Sequence, residues 1–282
     1  MRPVVVLLTC DIHTHNHGPD PVHEDLARTR KVLGDLSAPC TFFFPANSAE
    51  TLREEVATLA GDGHEIGCHG LTHTPDEAYS VLPLADQRVR LTEATERITK
   101  VVGSRPVSFR SPAFKISGPT MRVLDELGYR AEASVNSQRA PLLGADMYNW
   151  RPLCAPRKPY HPSYEDACRR GGARVWEIPV SAWILPFVAN TERLFGLRFV
   201  RQFFRALHTE AQRTGKPIVF MFHAEELNAD HASEPREPLS WRHFLPSPVY
   251  GLRFREHLFD NDFRRIEQDL TALLKWINGF VG

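Results

Sequence analysis

The feature that most constrains the fold is a repeated alternation of short apolar segments with amphipathic helical segments. The first apolar segment, residues 4–9, is an unbroken run of valine and leucine ending in threonine. This pattern is typical of a strand that is buried on both faces. Such strands belong to parallel sheets, in which a helix connects one strand to the next. The sequence therefore predicts an α/β fold.

The alternation continues along most of the chain. Further strands are predicted at 39–44, 64–68, 107–109, 129–135, 175–180 and 218–223, and helices at 20–36, 48–60, 83–101, 119–127, 197–214 and 263–277, with Ser48 as a helix cap. Right-handed βαβ units in this number predict a barrel or partial barrel. We expect one domain over residues 1–282, with long loops at about 137–172 and 225–260 that serve as lids or binding walls.

Composition and hydropathy argue against two classes of partner. The 34 Lys and Arg residues balance 34 Asp and Glu residues, so the net charge provides no general attraction for nucleic acid or an anionic membrane. The first apolar run ends at Asp11, and no other run approaches about 18 apolar residues, the length of a membrane-spanning helix. We therefore expect a cytoplasmic protein without an integral membrane segment, and the oligomeric state stays open.

Several chemically capable residues fall at or just after predicted strand ends. These are Asp11, His69, Arg110 and His223. Because the functional face of such a barrel lies at the carboxyl ends of its strands, these residues should converge. His73 follows His69 by four positions, so on one helical turn both imidazoles could bind zinc or a similar metal. Taken alone, the spacing fits two polar loop histidines equally well.

The segments around these residues resemble the polysaccharide deacetylases with the NodB homology domain, also called carbohydrate esterase family 4. The resembling segments are 8–11, 41–44, 63–67 with His69 and His73, 109–112 and 219–223. They occur in the family's order between about residues 4 and 227. In this resemblance His69 and His73 stand as the family's pair of metal-binding histidines.

The resemblance implies a distorted (β/α) barrel with fewer than eight complete strands, and hydrolysis of an N-acetyl or related amide on a sugar. It implies that Asp11 acts as the base and His223 as the acid. A metal would polarise the amide carbonyl and lower the pKa of its bound water. Arg110 would orient a carboxylate or lower its pKa; the alternative is a surface arginine before a turn.

One departure from the family pattern concerns the third metal ligand. Common members follow the base with a second, metal-binding aspartate, whereas this chain has Ile12. His13 is the nearest replacement, since some relatives carry Asp-x-Asp at this point. A site of three nitrogens favours zinc, with cobalt or nickel as alternatives. Asp11 itself is the main rival to His13 as third ligand.

Three further departures affect the surroundings of the site. Gly70 stands where the family usually has serine or threonine, and Ala113 and Phe114 follow Pro112 where a glycine is expected. The family also has an aspartate that tunes the catalytic histidine or the arginine. Glu132 is the nearest candidate for that role.

The run from Asp11 through His13 to His15 and His17 permits another interpretation. Asp-x-His-Thr-His is similar to the first metal motif of amidohydrolase and PHP-type barrels. Those families need further histidines and a terminal aspartate at other strand ends, and residues 63–73 and 109–112 fit that scheme poorly. A polar loop in which His13 alone is functional is a further alternative.

The substrate prediction depends on residues 176–180, which resemble a segment of family members that act on small or lipid-linked sugars. We expect an N-deacetylase or deformylase for an intracellular N-acylated sugar, such as a glycoside precursor, a sugar nucleotide or a lipid-linked sugar. Aromatic loops at 148–150 and 240–250 could wall its pocket or could equally pack over the rim of the barrel. The alternatives are an allantoinase-like hydrolase of cyclic amides or ureides and a non-catalytic carbohydrate-binding relative.

Overall fold

The computed structural model describes residues 3–13, 19–141, 149–231, 237–247, 251–252, 254 and 257–281. The strands are β1 (Val6–Asp11), β2 (Cys40–Phe44), β3 (Glu65–Cys68), β4 (Ser108–Phe109), β5 (Ala131–Glu132), β6 (Trp176–Glu177), β7 (Ala182–Trp183), β8 (Leu185–Pro186), β9 (Ile218–His223), β10 (Pro246–Ser247) and β11 (Gly251–Leu252). The helices are α1 (Pro19–Asp35), α2 (Ala46–Thr51), α3 (Arg53–Gly61), α4 (Leu84–Val102), α5 (Gly118–Leu127), α6 (Ala189–Thr214) and α7 (Phe263–Val281).

Seven of these strands form one parallel sheet in the order β6-β5-β4-β3-β2-β1-β9. The two longest strands, β1 and β9, pair over six residues at the end of this order. Both are apolar because both faces of the sheet are covered, the outer face by helices. The sequence prediction of a distorted, incomplete (β/α) barrel is confirmed.

Among the described residues no regular eighth strand joins this sheet, and the chain after β6 lies between the two edge strands. Val180 bridges to Asn136 beside β5, and Val188 bridges to Met221 of β9. Ser181 donates its backbone N–H to the carbonyl of Val219 over 3.2 Å. A small apolar cluster of Val180, Val188, Val219 and Met221 is buried here. These contacts tie the edge strands together without a continuous ladder.

The helix predicted from Ser48 begins earlier and is divided in two. Pro45, not Ser48, is the residue before α2, and Ser48 lies buried inside that helix. No side-chain cap is needed, because the first N–H groups of α2 donate to the backbone carbonyls of Gly70 and Leu71, each over 3.0 Å. The start of α2 is therefore attached to the segment between His69 and His73.

Three other elements differ in extent from the prediction. Only two residues of each predicted strand at 129–135 and 175–180 join the ladder as β5 and β6. Helix α6 starts at Ala189 rather than at residue 197. It is broken at Gly196, whose φ of 79° lies outside the right-handed helical region. The sequence prediction matched the part of α6 after this glycine.

Among the described helices, none has the length and apolar character needed to cross a membrane.

Candidate metal centre and active site

The carboxyl ends of β1, β4 and β9 bring three of the predicted site residues together. Asp11 lies opposite His223 in the β1–β9 register. Arg110, the residue after β4, donates from Nη1 to Asp11 Oδ1 over 2.6 Å. The contact joins positions 99 residues apart in the sequence. Strand-end convergence thus places a carboxylate, a guanidinium and an imidazole at one edge of the sheet.

Three imidazoles form a compact cluster beside this group. One ring nitrogen from each of His13, His69 and His73 can be chosen so that all lie within 4.8 Å of one another. The ring of His13 lies 4.4 Å from that of His73 and 4.6 Å from that of His223, between centroids. His13 is therefore central to the cluster, and the rings of His69 and His73 lie 4.8 Å apart between centroids.

The environment of His69 determines its tautomer. Its Nδ1 lies 2.8 Å from the backbone carbonyl of Arg110, and a carbonyl can only accept a hydrogen bond, so Nδ1 carries the proton. The lone pair is then on Nε2, which lies 3.9 Å from Asp11 Oδ2. Burial also lowers the pKa of His69, although Asp11 opposes this. A neutral imidazole with a free Nε2 lone pair suits metal coordination.

The segment that carries His73 is not the helical turn that the spacing predicted. Gly70 has a φ of 82° and His73 a φ of 62°, so two left-handed residues lie within it. The carboxylate of Glu77 accepts backbone hydrogen bonds from Leu71, Thr72 and His73 over 2.6–2.8 Å. Glu77 is fully buried. It holds the turn between the two histidines.

Glu77 also explains the glycine at position 70. A Cβ built on Gly70 would lie 2.8 Å from Glu77 Oε1, closer than real contacts allow, and the φ of Gly70 is itself costly for other residues. Sequence reasoning missed Glu77. The available signal was the loss of the usual serine or threonine after His69 together with a glutamate shortly downstream.

Arg110 is fully buried, and its guanidinium binds Asp11 instead of facing the surface. It also donates to Thr9 Oγ1 over 3.0 Å and to the carbonyl of Ala133 over 2.9 Å. Burial would raise the pKa of Asp11, but the charges of Arg110, His69 and His223 lower it below its usual value. Asp11 is therefore an ionised carboxylate, and the alternative of a surface arginine is wrong.

His223 lies in an acidic environment made by the turn that follows β9. Its backbone N–H donates to Glu226 Oε2 over 2.8 Å, and its Nδ1 lies 3.5 Å from the same oxygen. Burial alone would lower the pKa of His223, but Glu225, Glu226 and Asp11 raise it to about 9. The raised pKa favours the imidazolium form at neutral pH, which suits a general acid.

Glu132 has different partners from those expected of a residue that tunes Arg110 or His223. Ser134 donates its hydroxyl to Glu132. In the β5–β6 register Glu132 lies beside Glu177, and both side chains are fully buried. Burial, and secondly the neighbouring Glu132, raise the pKa of Glu177 well above its usual value. The described contacts of Glu132 thus form a carboxyl pair between two strands.

Ala113 and Phe114 adopt the backbone conformation that the expected glycine would favour. Their φ angles are 51° and 59°. The guanidinium of Arg110 lies 5.7 Å from the centre of the Phe114 ring, so the departure adds an aromatic side chain next to the site. His15 and His17, the other histidines of the N-terminal run, lie outside the described residues.

Comparison with known proteins finds sequence similarity in the first half of the chain. Residues 2–131 match the model of the family described as polysaccharide deacetylase. A peptidoglycan deacetylase-like protein of Gibberella zeae is 30% identical over 123 residues, which are 43% of this chain and 36% of that protein. A peptidoglycan deacetylase of Helicobacter pylori is 27% identical over 110 residues, 39% of this chain and 36% of that protein.

The matched region thus spans about a third of the length of these relatives. Among solved structures, Puue allantoinase superposes with a TM-score of 0.58 at 13% identity, covering 98% of this chain and 84% of that one. This likeness extends over almost the whole chain. At such low identity it shows the shared barrel fold alone.

Proposed function

We propose that this chain, whose residues 2–131 match the model of the polysaccharide deacetylase family, is a metal-dependent hydrolase that removes an N-acyl group from a sugar. The observation that carries the proposal is the arrangement around Asp11. A buried carboxylate held by Arg110 lies 3.9 Å from His69 in a cluster of three imidazoles. His223, whose pKa is raised to about 9, lies beside Asp11 in the register and 4.6 Å from the ring of His13. Candidate base, acid and ligands are therefore neighbours.

The donor set fits a divalent metal. In a tetrahedral zinc site with Zn–N distances of roughly 2 Å, neighbouring ligand nitrogens lie about 3.3 Å apart. The nitrogens of His13, His69 and His73 lie within 4.8 Å of one another, which makes them candidates to hold one ion. We propose these three histidines as the ligands. Nitrogen ligands favour zinc, with cobalt or nickel as alternatives.

When bound, the metal would polarise the amide carbonyl and lower the pKa of a bound water. Asp11, held ionised by Arg110, accepts the proton of the attacking water through Oδ2, since Oδ1 is occupied by the arginine. His223 delivers its proton to the nitrogen of the leaving amine as the C–N bond breaks. The products are a carboxylic acid and a free amino sugar.

The finer substrate assignment extends this proposal. We infer that the substrate is an intracellular N-acetyl or N-formyl sugar, either a small glycoside precursor, a sugar nucleotide or a lipid-linked sugar. Support comes from the resemblance of residues 176–180 to family members that act on such compounds. A cytoplasmic location is part of the same inference.

The test compares Asp11→Asn with the unchanged protein after loading with zinc. We expect acetate release from N-acetyl sugars to fall by about 10²–10⁴-fold while zinc affinity, measured against a chromogenic chelator, changes little. Asp62→Asn, on the surface beside Arg30, is the matched control and should leave both values unchanged. If Asp11→Asn abolishes zinc binding instead, Asp11 is a ligand and its assignment as base fails.

The same assay separates the alternatives. An allantoinase-like enzyme would open cyclic amides or ureides and release no acetate or formate. A carbohydrate-binding relative would bind N-acetyl sugars without turnover under any of the three metals, and Asp11→Asn would not affect that binding. Either result would contradict the proposed function.

A further inference from the structure

The carboxylate of Glu226 connects the turn after β9 to His223. Its Oε2 accepts the backbone N–H of His223 over 2.8 Å and lies 3.5 Å from His223 Nδ1. Its Oε1 accepts no hydrogen bond from the residues that the structure describes, and the side chain is fully buried. A buried carboxylate is costly unless a charged group lies beside it. The group that faces Oε1 therefore determines how firmly Glu226 is held.

Arg193, near the start of α6, faces that oxygen. Its Nη1 lies 3.5 Å from Glu226 Oε1, and its side chain is mostly buried. Burial would raise the pKa of Glu226, but the hydrogen bond and charge of His223, together with the charge of Arg193, hold that pKa below its usual value. Glu226 is thus an ionised carboxylate with His223 beside one oxygen and Arg193 beside the other.

Arg193 is itself fixed by contacts to two other parts of the chain. Its Nε donates to the backbone carbonyl of Asp260 over 2.8 Å, and the Asp260 N–H donates to the carbonyl of Arg193 over 3.1 Å. Its Nη1 lies 3.3 Å from Asn190 Oδ1, and its guanidinium lies 5.6 Å from the centre of the Phe263 ring. Helix α6 and the segment that leads into α7 therefore hold the guanidinium where it meets Glu226.

Two other carboxylates lie near enough to Glu226 to repel it. Burial raises the pKa of Glu225 and also that of Glu192, the latter to about 7, and the charge of Glu226 adds to both shifts. Like charges at short range make a carboxylate move away or take up a proton. Arg193 supplies a fixed positive charge that opposes this repulsion at Glu226.

We propose that Arg193 is a positioning residue for the general acid: it holds the Glu226 carboxylate so that Glu226 orients the His223 imidazole toward the leaving amine. The inference rests on the proposed function for the role of His223. Arg193 acts through Glu226, and it thereby connects α6 and the segment before α7 to the chemistry at the end of β9.

The first test observes His223 directly and does not depend on turnover. The probe is the nitrogen NMR signal of the His223 ring in metal-free protein at a single pH, identified by its loss in His223→Gln. Arg193→Met removes the charge and the donors, and it should shift this signal. Glu226→Gln should shift it as well. Because Arg193 acts through Glu226, Arg193→Met should add no further shift to the Glu226→Gln protein.

Arg198→Met is the matched control, because Arg198 is exposed further along α6, and it should leave the His223 signal in place. If Arg193→Met does not fold, as judged by circular dichroism, Arg193→Lys replaces it in every comparison. A lysine has no donor at the position of Nε, so it cannot bind the Asp260 carbonyl and approach Glu226 in the same way. An unchanged His223 signal, or an equal shift with and without Glu226→Gln, would overturn the inference.

The second test uses the dependence of the reaction on its leaving group. An amine leaves an N-acetyl sugar only when an acid protonates it, whereas para-nitrophenyl acetate releases a stable phenolate that needs no proton. Zinc-loaded Arg193→Met should lose about 10-fold to 100-fold in kcat on N-acetyl sugars, a part of the roughly 10²–10⁴-fold that a general acid contributes. The loss on the ester should be much smaller. A merely structural role would lower both rates by the same factor, and that result would contradict the inference.

The two tests separate this inference from the proposed function. If the unchanged protein releases no acetate from any N-acetyl sugar, the deacetylase is contradicted, and the His223 signal still decides whether Arg193 acts through Glu226. Acetate release by the unchanged protein, combined with a His223 signal that Arg193→Met leaves in place, contradicts the positioning role alone.

Discussion

At the scale of single residues, Glu77 shows how a carboxylate can position candidate metal ligands without being one of them. It accepts hydrogen bonds from three consecutive N–H groups between His69 and His73 and a fourth from the hydroxyl of Tyr79, over 2.6 Å. These contacts hold His73 at its unusual φ of 62°. Loss of an outer contact to a metal ligand typically lowers metal affinity or activity about 10-fold to 100-fold.

Glu77→Gln should therefore weaken zinc binding by about 10-fold to 100-fold, since an amide keeps the size of the side chain but offers one acceptor oxygen instead of two. The measurement is chelator competition on protein shown to be folded by circular dichroism. Glu65→Gln, at the exposed start of β3, is the control. Unchanged zinc affinity in a folded Glu77→Gln protein would contradict the positioning role.

The identity of the third ligand is a second prediction at this scale. His13→Ala should lower zinc affinity at least 10-fold, because its ring lies 4.4 Å from that of His73 within the cluster. His23→Ala, a partly exposed histidine in α1 that pairs with Glu55, should leave affinity unchanged. Equal zinc affinity of His13→Ala and the unchanged protein would exclude His13 as a ligand.

The pH dependence follows from the environment of His223. A general acid must be protonated, so kcat/KM should fall as pH rises through about 9, to which Glu225 and Glu226 raise the pKa of His223 against the effect of burial. Glu226→Gln removes one of these charges and should move the alkaline limb to lower pH. The measurement is a pH profile of both proteins. An alkaline limb that Glu226→Gln leaves in place would reject His223 as the acid.

At the scale of elements, the start of α5 is packed against the long loop that follows β5. A Cβ on Gly118 would lie 2.2 Å from the backbone carbon of Glu165, so either the helix or the loop must move when a methyl group is added. Gly118 is therefore required by close approach of two backbone segments, although it occupies the first turn of a helix.

Gly118→Ala should destabilise the protein by roughly 1–3 kcal/mol, measured by urea unfolding. The matched control is Gly34→Ala in α1, where nothing lies within 4 Å of the added Cβ. There the gain in helix propensity should stabilise the protein by up to about 1 kcal/mol. Equal effects of the two substitutions would contradict the packing of α5 on this loop.

At the scale of the whole molecule, helix α7 packs on neighbouring elements next to the candidate site. Its buried residues are Ile266, Leu270, Leu273, Leu274 and Ile277. The helix packs against α6 and against residues 224–227, the turn that begins directly after His223. If residues 1–282 form one domain, as we predict, damage to α7 should destabilise the entire structure.

Leu273→Ala should lower the free energy of unfolding by about 2–5 kcal/mol, since Leu273 is fully buried. The expected unfolding curve keeps a single transition, with tryptophan fluorescence and far-ultraviolet circular dichroism coinciding. Thr271→Ala, on the same helix with a partly buried side chain, is the control and should cost less. Separate transitions for the two signals would indicate more than one domain.

Much of the framework could be predicted from sequence because it depends on local patterns. The strand at 218–223 was predicted to the residue, since an unbroken apolar run specifies burial on both faces. The short strands β5 and β6 were predicted too long, because propensity does not show where a ladder stops. The prediction of Ser48 as a helix cap was wrong, because the first N–H groups of α2 donate to the backbone carbonyls of residues 70 and 71.

The sequence by itself determined the barrel and the chemical types available at its strand ends, among them Asp11, Arg110 and His223. Only the tertiary structure decided that His13 joins His69 and His73, that Glu77 shapes their loop, and that Glu132 lies beside Glu177 in the register of β5 and β6. Periodicity along the chain reports whether a residue is buried. Which buried groups meet depends on register and loop geometry between distant segments, and no local pattern encodes these.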